Sequence, residues 1–218
     1  MSYLARPATA SGVGVLIGFE MFGITGYVRR VADRVAALGH LAIVPDYYHG
    51  ITLPATAEGR EQGFALLRTI DRPAIEAGTA GAIEELRRRG ATRIAGLGLS
   101  VGGHFLYYAA TRLEIETLIA VYPGWLTGGP FPFAGPEPTV SLPLRASRTV
   151  ILTGADDHLV DVTALPESAE VVVYPGTPHG YLCDERDTYR PEPAKDTWAR
   201  VAGEFAGMSS AVHTCERS

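Results

Sequence analysis

Cysteine is nearly absent: the chain of 218 residues carries two, Cys183 and Cys215. One falls in a loop and the other near the C-terminus, so no structural disulfide is expected and a reducing, cytoplasmic setting is. No apolar run approaches the ~18–20 residues that cross a bilayer, and the N-terminus lacks a charged-then-apolar signal pattern. No membrane is expected as a partner. Positive charge is also scarce. Lys plus Arg number 19 against 24 Asp plus Glu, a net charge of −5, which argues against nucleic acid as a partner. The one basic cluster, Arg87-Arg88-Arg89, reads as the last turn of a helix, where cations complement the dipole. Metal-ligand spacing is missing, and Gly96-x-Gly98 lacks the third glycine of a dinucleotide fingerprint, so no metal or cofactor is expected. Internal repeats, low-complexity segments and linkers are absent.

What remains is an ordinary globular composition, 46% hydrophobic and 20% charged. It fits a single domain over residues 1–208, with a small, polar, disordered tail over 209–218. Nearly continuous apolar runs at 12–19, 41–45 and 117–122 read as buried strands, and 93–97, 148–152 and 171–174 also read as strands. A short strand over 2–6 opens the chain. Helices are expected over 25–38, with Val28, Val31, Val35 and Leu38 inward, and over 60–70, 74–89, 104–111, 162–168 and 192–205. Asp71-Arg72-Pro73 reads as a break between two of them. The alternation implies an α/β fold with a mostly parallel sheet flanked by helices on both faces. Residues 46–59 read as loop. Residues 123–143 form a long Pro/Gly-rich excursion of the kind that often serves as a lid or cap.

The segment Gly98-Leu99-Ser100-Val101-Gly102 lies between a strand and a helix. This is the G-x-S-x-G pattern of a nucleophile elbow, in which larger side chains at the glycines would collide around a tight, strained turn. Acid and base candidates follow, each just past a strand end: Asp157 in Gly154-Ala155-Asp156-Asp157-His158, and His179 in Pro178-His179-Gly180. A serine hydroxyl needs an imidazole to take its proton, and the imidazole needs a carboxylate to fix its tautomer. Asp156 competes with Asp157, which lies further past the strand end. His104, on the elbow helix, reads as packed or capping. His158 points elsewhere if its neighbour faces His179, while His40, His49 and His213 read as loop or tail residues. Asp184 and Asp187 come too late in the chain.

Six segments, Gly18-Phe19-Glu20-Met21-Phe22-Gly23, Pro45-Asp46-Tyr47-Tyr48, Arg60-Glu61-Gln62, the elbow, Gly154 to Val160 and Pro178-His179-Gly180-Tyr181, together resemble the dienelactone hydrolase family. The likeness runs from about Tyr3 to Phe205. It implies the α/β-hydrolase fold with a minimal cap, and a small ester or lactone as substrate. It implies Ser100 as nucleophile, Asp157 as acid, His179 as base, and the backbone N–H groups of Met21 and Val101 as the oxyanion hole. Glu20 matches the glutamate that sits beside the nucleophile in this family. It could bond the Ser100 hydroxyl, orient substrate or be vestigial. Arg60 matches one of two arginines that grip a substrate carboxylate. The other position, four residues past His179, is Cys183 here, with Arg186 near enough in sequence to compensate. The elbow carries serine where well-known members carry cysteine. The N-terminal strands of longer relatives are missing, which leaves that sheet edge short.

Phe22, Tyr48, Phe64, Tyr122, Trp125 and Tyr181 are expected to line the pocket. The expected activity is ester or lactone hydrolysis through an acyl-enzyme, by a monomer or homodimer. The same machinery also supports acyl transfer, cyclisation or lyase chemistry, and a ligand-binding protein on this scaffold is a further alternative.

Overall fold

Each of the runs read as strands forms one; the central strands are buried because helices cover both faces, whereas the edge strand Glu170–Tyr174 stays partly exposed. The computed structural model describes residues 1–210. The strands are β1 (Tyr3–Ala5), β2 (Val13–Gly18), β3 (Leu41–Val44), β4 (Arg93–Leu99), β5 (Thr117–Val121), β6 (Arg148–Gly154) and β7 (Glu170–Tyr174). The helices are α1 (Gly26–Ala37), α2 (Ala57–Leu67), α3 (Arg72–Arg88), α4 (Val101–Arg112) and α5 (Pro191–Ser210). The sheet order is β1-β3-β2-β4-β5-β6-β7. Only β1 runs antiparallel, against β3.

Alternation along each strand divides the core in two. Val13, Val15 and Ile17 face one side with α1 and α5, where Val28, Val31, Val35, Val201 and Phe205 pack. Leu16 faces the other side with Ile83 and Leu86 of α3 and Leu106 and Tyr107 of α4. Successive side chains of a pleated strand point to opposite faces, so every buried strand feeds both cores.

The winding sets the place of the site. From β2 the chain steps outward to β3, then returns to β4 on the other side of β2 and continues through β5 and β6 to β7. The strand order therefore reverses between β2 and β4, and open α/β sheets form their crevice beyond the carboxyl ends at such a point. Gly18 and Gly98 are the last residues that these two strands pair with each other. The segments that leave them are Phe19 to Gly23 and the elbow.

Several boundaries differ from the sequence expectation. Helix α2 starts at Ala57 because Thr56 caps it, its side chain accepting from the Gly59 N–H. Asp71 is the N-cap of α3, and Pro73 lies in the first turn, where its missing N–H costs nothing. Leu38, expected inward, is the exposed C-cap residue of α1. The helix expected over 162–168 is only a 3-10 turn, Val162–Ala164; Leu165 precedes Pro166 and is extended, at ψ 147°. Helix α5 runs on to Ser210, so Ser209 and Ser210 of the expected tail are helical, and the rest of the tail, with Cys215, lies outside the described residues.

The 123–143 excursion is anchored to the core at several points. Phe131, Phe133, Ala134 and Thr139 are buried. Arg72 reaches up from α3 and donates to the carbonyls of Phe133, Ala134 and Glu137 and to the Thr139 hydroxyl. Its guanidinium also stacks over Tyr108. One planar group with five donors thus satisfies several loop acceptors at once.

Candidate active site

Ser100 sits at φ 54° and ψ −123°, between β4 and α4. For a residue with a side chain this is strained backbone. Tyr122 at φ 41° and Trp125 at φ 63° share the left-handed region, and both follow β5, the next strand. The elbow exists because its glycines touch rigid main chain. A Cβ on Gly102 would lie 2.2 Å from the Gly18 carbonyl carbon and 2.5 Å from the Phe19 nitrogen. This contact brings the end of β2 against the first turn of α4.

The Ser100 hydroxyl is 2.9 Å from His179 Nε2. His179 Nδ1 donates to Asp157 Oδ2 at 2.8 Å. Asp157 also accepts from the Leu159 N–H at 2.9 Å and from the Thr153 hydroxyl at 3.4 Å. Asp156 and His158 are exposed, whereas the Asp157 side chain is fully covered. Burial separates the two neighbouring aspartates where spacing could only favour one. Among the described residues, neither the Met21 N–H nor the Val101 N–H donates to a protein acceptor. Both lie at segments that the Gly18–Gly102 contact brings together.

Glu20 is buried and does not bond Ser100. Arg186 donates to both of its carboxylate oxygens, at 3.2 and 2.5 Å, and the Tyr122 hydroxyl donates to Oε1 at 3.3 Å. Burial pushes the Glu20 pKa up, while the charges of Arg186 and His179 and the Tyr122 hydroxyl pull it back. Arg186 is therefore engaged by Glu20, with its guanidinium over the Phe22 ring. Cys183 is a free, buried thiol, pushed up to about 11 mainly by burial. It is a wall of a cleft of about 380 Å³ that Phe22, Tyr27, Leu53 and Arg186 also line.

The aromatic residues split into two groups. Phe64 and Trp125 are partly exposed and both pack against Phe131. They join Met21, which Gly63 touches, in an apolar rim. Tyr48, Tyr122 and Tyr181 are different: at 2%, 0% and 0% exposure they offer a substrate almost no surface, contrary to expectation. Their hydroxyls have inward duties. Tyr48 donates to the Met21 carbonyl at 3.2 Å, and Tyr181 bonds Thr197 at 2.8 Å. Tyr122 also packs its ring edge-on to His179 and to Tyr181. Composition cannot tell a tyrosine that faces a pocket from one that supports it. Arg60 lies exposed in the first turn of α2, one helical turn before Phe64, and is unpaired among the described residues.

His104, expected to be packed or capping, is packed. It is fully buried. Nδ1 donates to the Gly124 carbonyl at 3.1 Å, and Nε2 accepts from Thr139, which in turn accepts from Arg72. This ties the residue next to Trp125 to α4. Burial, reinforced by the Arg72 charge, pushes the His104 pKa from 6.5 down to about 4. Between those values the unfolded chain takes up a proton that the folded chain refuses, so stability falls as pH drops. Buried His40, also lowered, acts with the same sign. The folded state should lose about 2 kcal/mol between pH ~7.5 and ~5 on account of His104. Urea titrations of wild type and His104→Gln at both pH values check this: an equal loss in the variant would remove His104 as the cause.

Comparison with known proteins bears on the family and the fold. The model of the dienelactone hydrolase family matches residues 1–209. The carboxymethylenebutenolidase of Rhodococcus opacus is 27% identical over 221 residues, covering 92% of this chain and 83% of that protein. A solved chain from Klebsiella pneumoniae subsp. pneumoniae, named "Putative Dienelactone Hydrolase", is 25% identical with a TM-score of 0.79, covering 94% of this chain and 92% of its own. Est1E from Butyrivibrio proteoclasticus, at 17% identity and a TM-score of 0.63, shares the fold. No helix among the described residues is long and apolar enough to cross a membrane. The α/β-hydrolase fold and the match over nearly the whole length place this chain in the dienelactone hydrolase family.

Proposed function

We propose that the chain hydrolyses a small, uncharged carboxylic ester or lactone through an acyl-enzyme on Ser100. The observation that carries this reading is the Ser100–His179–Asp157 chain, with links of 2.9 and 2.8 Å on a strained elbow. His179 takes the hydroxyl proton as Ser100 attacks the carbonyl carbon. Asp157 holds the Nδ1–H tautomer and stabilises the imidazolium. The oxygen of the tetrahedral intermediate is received by the Met21 and Val101 N–H groups. The imidazolium then protonates the departing alkoxide. In the second half His179 deprotonates the water that attacks the acyl-enzyme, and Ser100 is released.

The uncharged substrate follows from the arginines. Arg186 is already held at two points by Glu20, and Cys183 occupies the position that the resemblance gives to a second anchor. Binding a carboxylate there would break a buried ion pair, which is costly when one partner is left alone. Met21, Phe64 and Trp125 supply an apolar rim instead, and Arg60 is the candidate contact for a polar group at the rim. A cytoplasmic location belongs to this reading, supported by the free thiol of Cys183.

Steady-state turnover of p-nitrophenyl acetate and of an uncharged γ-lactone tests the proposal. Wild type should turn over at least one of them, and Ser100→Ala should lose at least about 10⁴-fold in kcat. Equal rates for wild type and Ser100→Ala would refute it.

A further inference from the structure

The turn that carries the Met21 N–H is held by groups that leave the nucleophile alone. The Gly23 N–H donates to the Glu20 carbonyl at 3.0 Å, closing a four-residue turn with Gly23 at φ 79°. A peptide unit is planar and trans, so its carbonyl and its N–H point in opposite directions. Fixing the Glu20 carbonyl therefore also fixes the Met21 N–H, which belongs to the same unit. The following unit is fixed as well, because the Tyr48 hydroxyl donates to the Met21 carbonyl. The side chain of Glu20, at the start of the turn, is clamped by two bonds from Arg186 and one from Tyr122. These anchors come from the segment after β3, the segment after β5 and the loop before α5, so the turn is tied to three parts of the fold.

We propose that Tyr48, together with Arg186 and Tyr122 acting through Glu20, holds the Met21 N–H at the position where the carbonyl oxygen becomes an oxyanion. This rests on the reading of Ser100 as nucleophile. A donor stabilises a transition state most when it is already aimed and needs no reorganisation. With a serine whose hydroxyl is bonded to His179, Glu20 has no proton to take from the nucleophile. Its carboxylate instead serves as the post to which the oxyanion turn is tied. These are positioning residues: they act through the main chain of Met21, and none of them is hydrogen-bonded to Ser100 or His179.

Tyr48→Phe is the sharpest test, since it removes one oxygen and keeps the buried ring. With p-nitrophenyl acetate, kcat should fall about tenfold, below the 10²–10³ that follows outright loss of a donor. KM should stay within about twofold, and the midpoint of the acid limb of kcat/KM should not move, because the His179–Asp157 pair is intact. Tyr122→Phe and Arg186→Lys should lower kcat in the same manner, each loosening the Glu20 clamp. A Tyr48→Phe enzyme with kcat within about twofold of wild type would overturn the proposal. So would a rise in KM at unchanged kcat, which would make Tyr48 a substrate contact. Ser100→Ala, measured in the same series, separates the two readings: full turnover in that variant refutes the nucleophile assignment itself, whatever Tyr48→Phe does.

Discussion

Asp157→Asn should lower kcat by about 10⁴-fold while the protein stays folded. The reason lies in the fixed donor on the far side of the carboxylate. Leu159 presents its N–H to Oδ1 at 2.9 Å, so an asparagine must place its carbonyl oxygen there. Its amide NH₂ then takes the place of Oδ2 and faces His179 Nδ1. Two donors cannot share that contact, so the His179 proton moves to Nε2, which faces Ser100. In that tautomer the imidazole cannot accept the serine proton. Asp156→Asn, one residue earlier and exposed, should change kcat by less than about twofold. Measuring kcat for both variants on p-nitrophenyl acetate distinguishes the two carboxylates. Comparable losses, or a loss confined to Asp156→Asn, would invert the assignment.

Gly102→Ala should be strongly disruptive for a single added methyl. The new Cβ would fall 2.2 Å from the Gly18 carbonyl carbon and 2.5 Å from the Phe19 oxygen. Both belong to main chain at the end of a central strand, so nothing flexible can give way. Overpacking of this kind costs about 3 kcal/mol or more, which for a domain of this size lowers Tm by about 6–12 °C. Activity should fall further than stability, because the clash pushes the Met21 turn away from Ser100. Gly207→Ala, with open space around the added methyl in helix α5, is the control and should leave Tm unchanged or raise it by a few degrees. A Gly102→Ala protein that melts with wild type would mean that β2 and α4 can separate freely.

The parts of the molecule that could be read from sequence are those set by local physics. A strand covered on both faces must be apolar throughout, so β2, β4 and β5 announce themselves. Ser100, Asp157 and His179 each follow a strand, and that placement singled them out. What sequence could not give depends on contacts between distant residues. Glu20 is tied to Arg186, which lies far along the chain, and no periodicity links them. Tyr48 and Tyr181 look like pocket residues by composition and are supports by burial. The early start of α4 was hidden because Gly102 and Gly103 are poor helix formers; Gly102 is there for the close approach of the Gly18–Phe19 main chain and Gly103 for that of Pro123. The start of α2 was readable: Thr56 followed by Glu58 is an N-cap residue with an acid in the first turn, and the expectation began the helix one turn too late.

The most direct test of the central claim is the intact mass of the protein after incubation with a fluorophosphonate. The account predicts one adduct on wild type and none on Ser100→Ala. A folded wild-type protein that takes up no adduct, or a Ser100→Ala protein that takes up the same one, would contradict an activated serine at position 100.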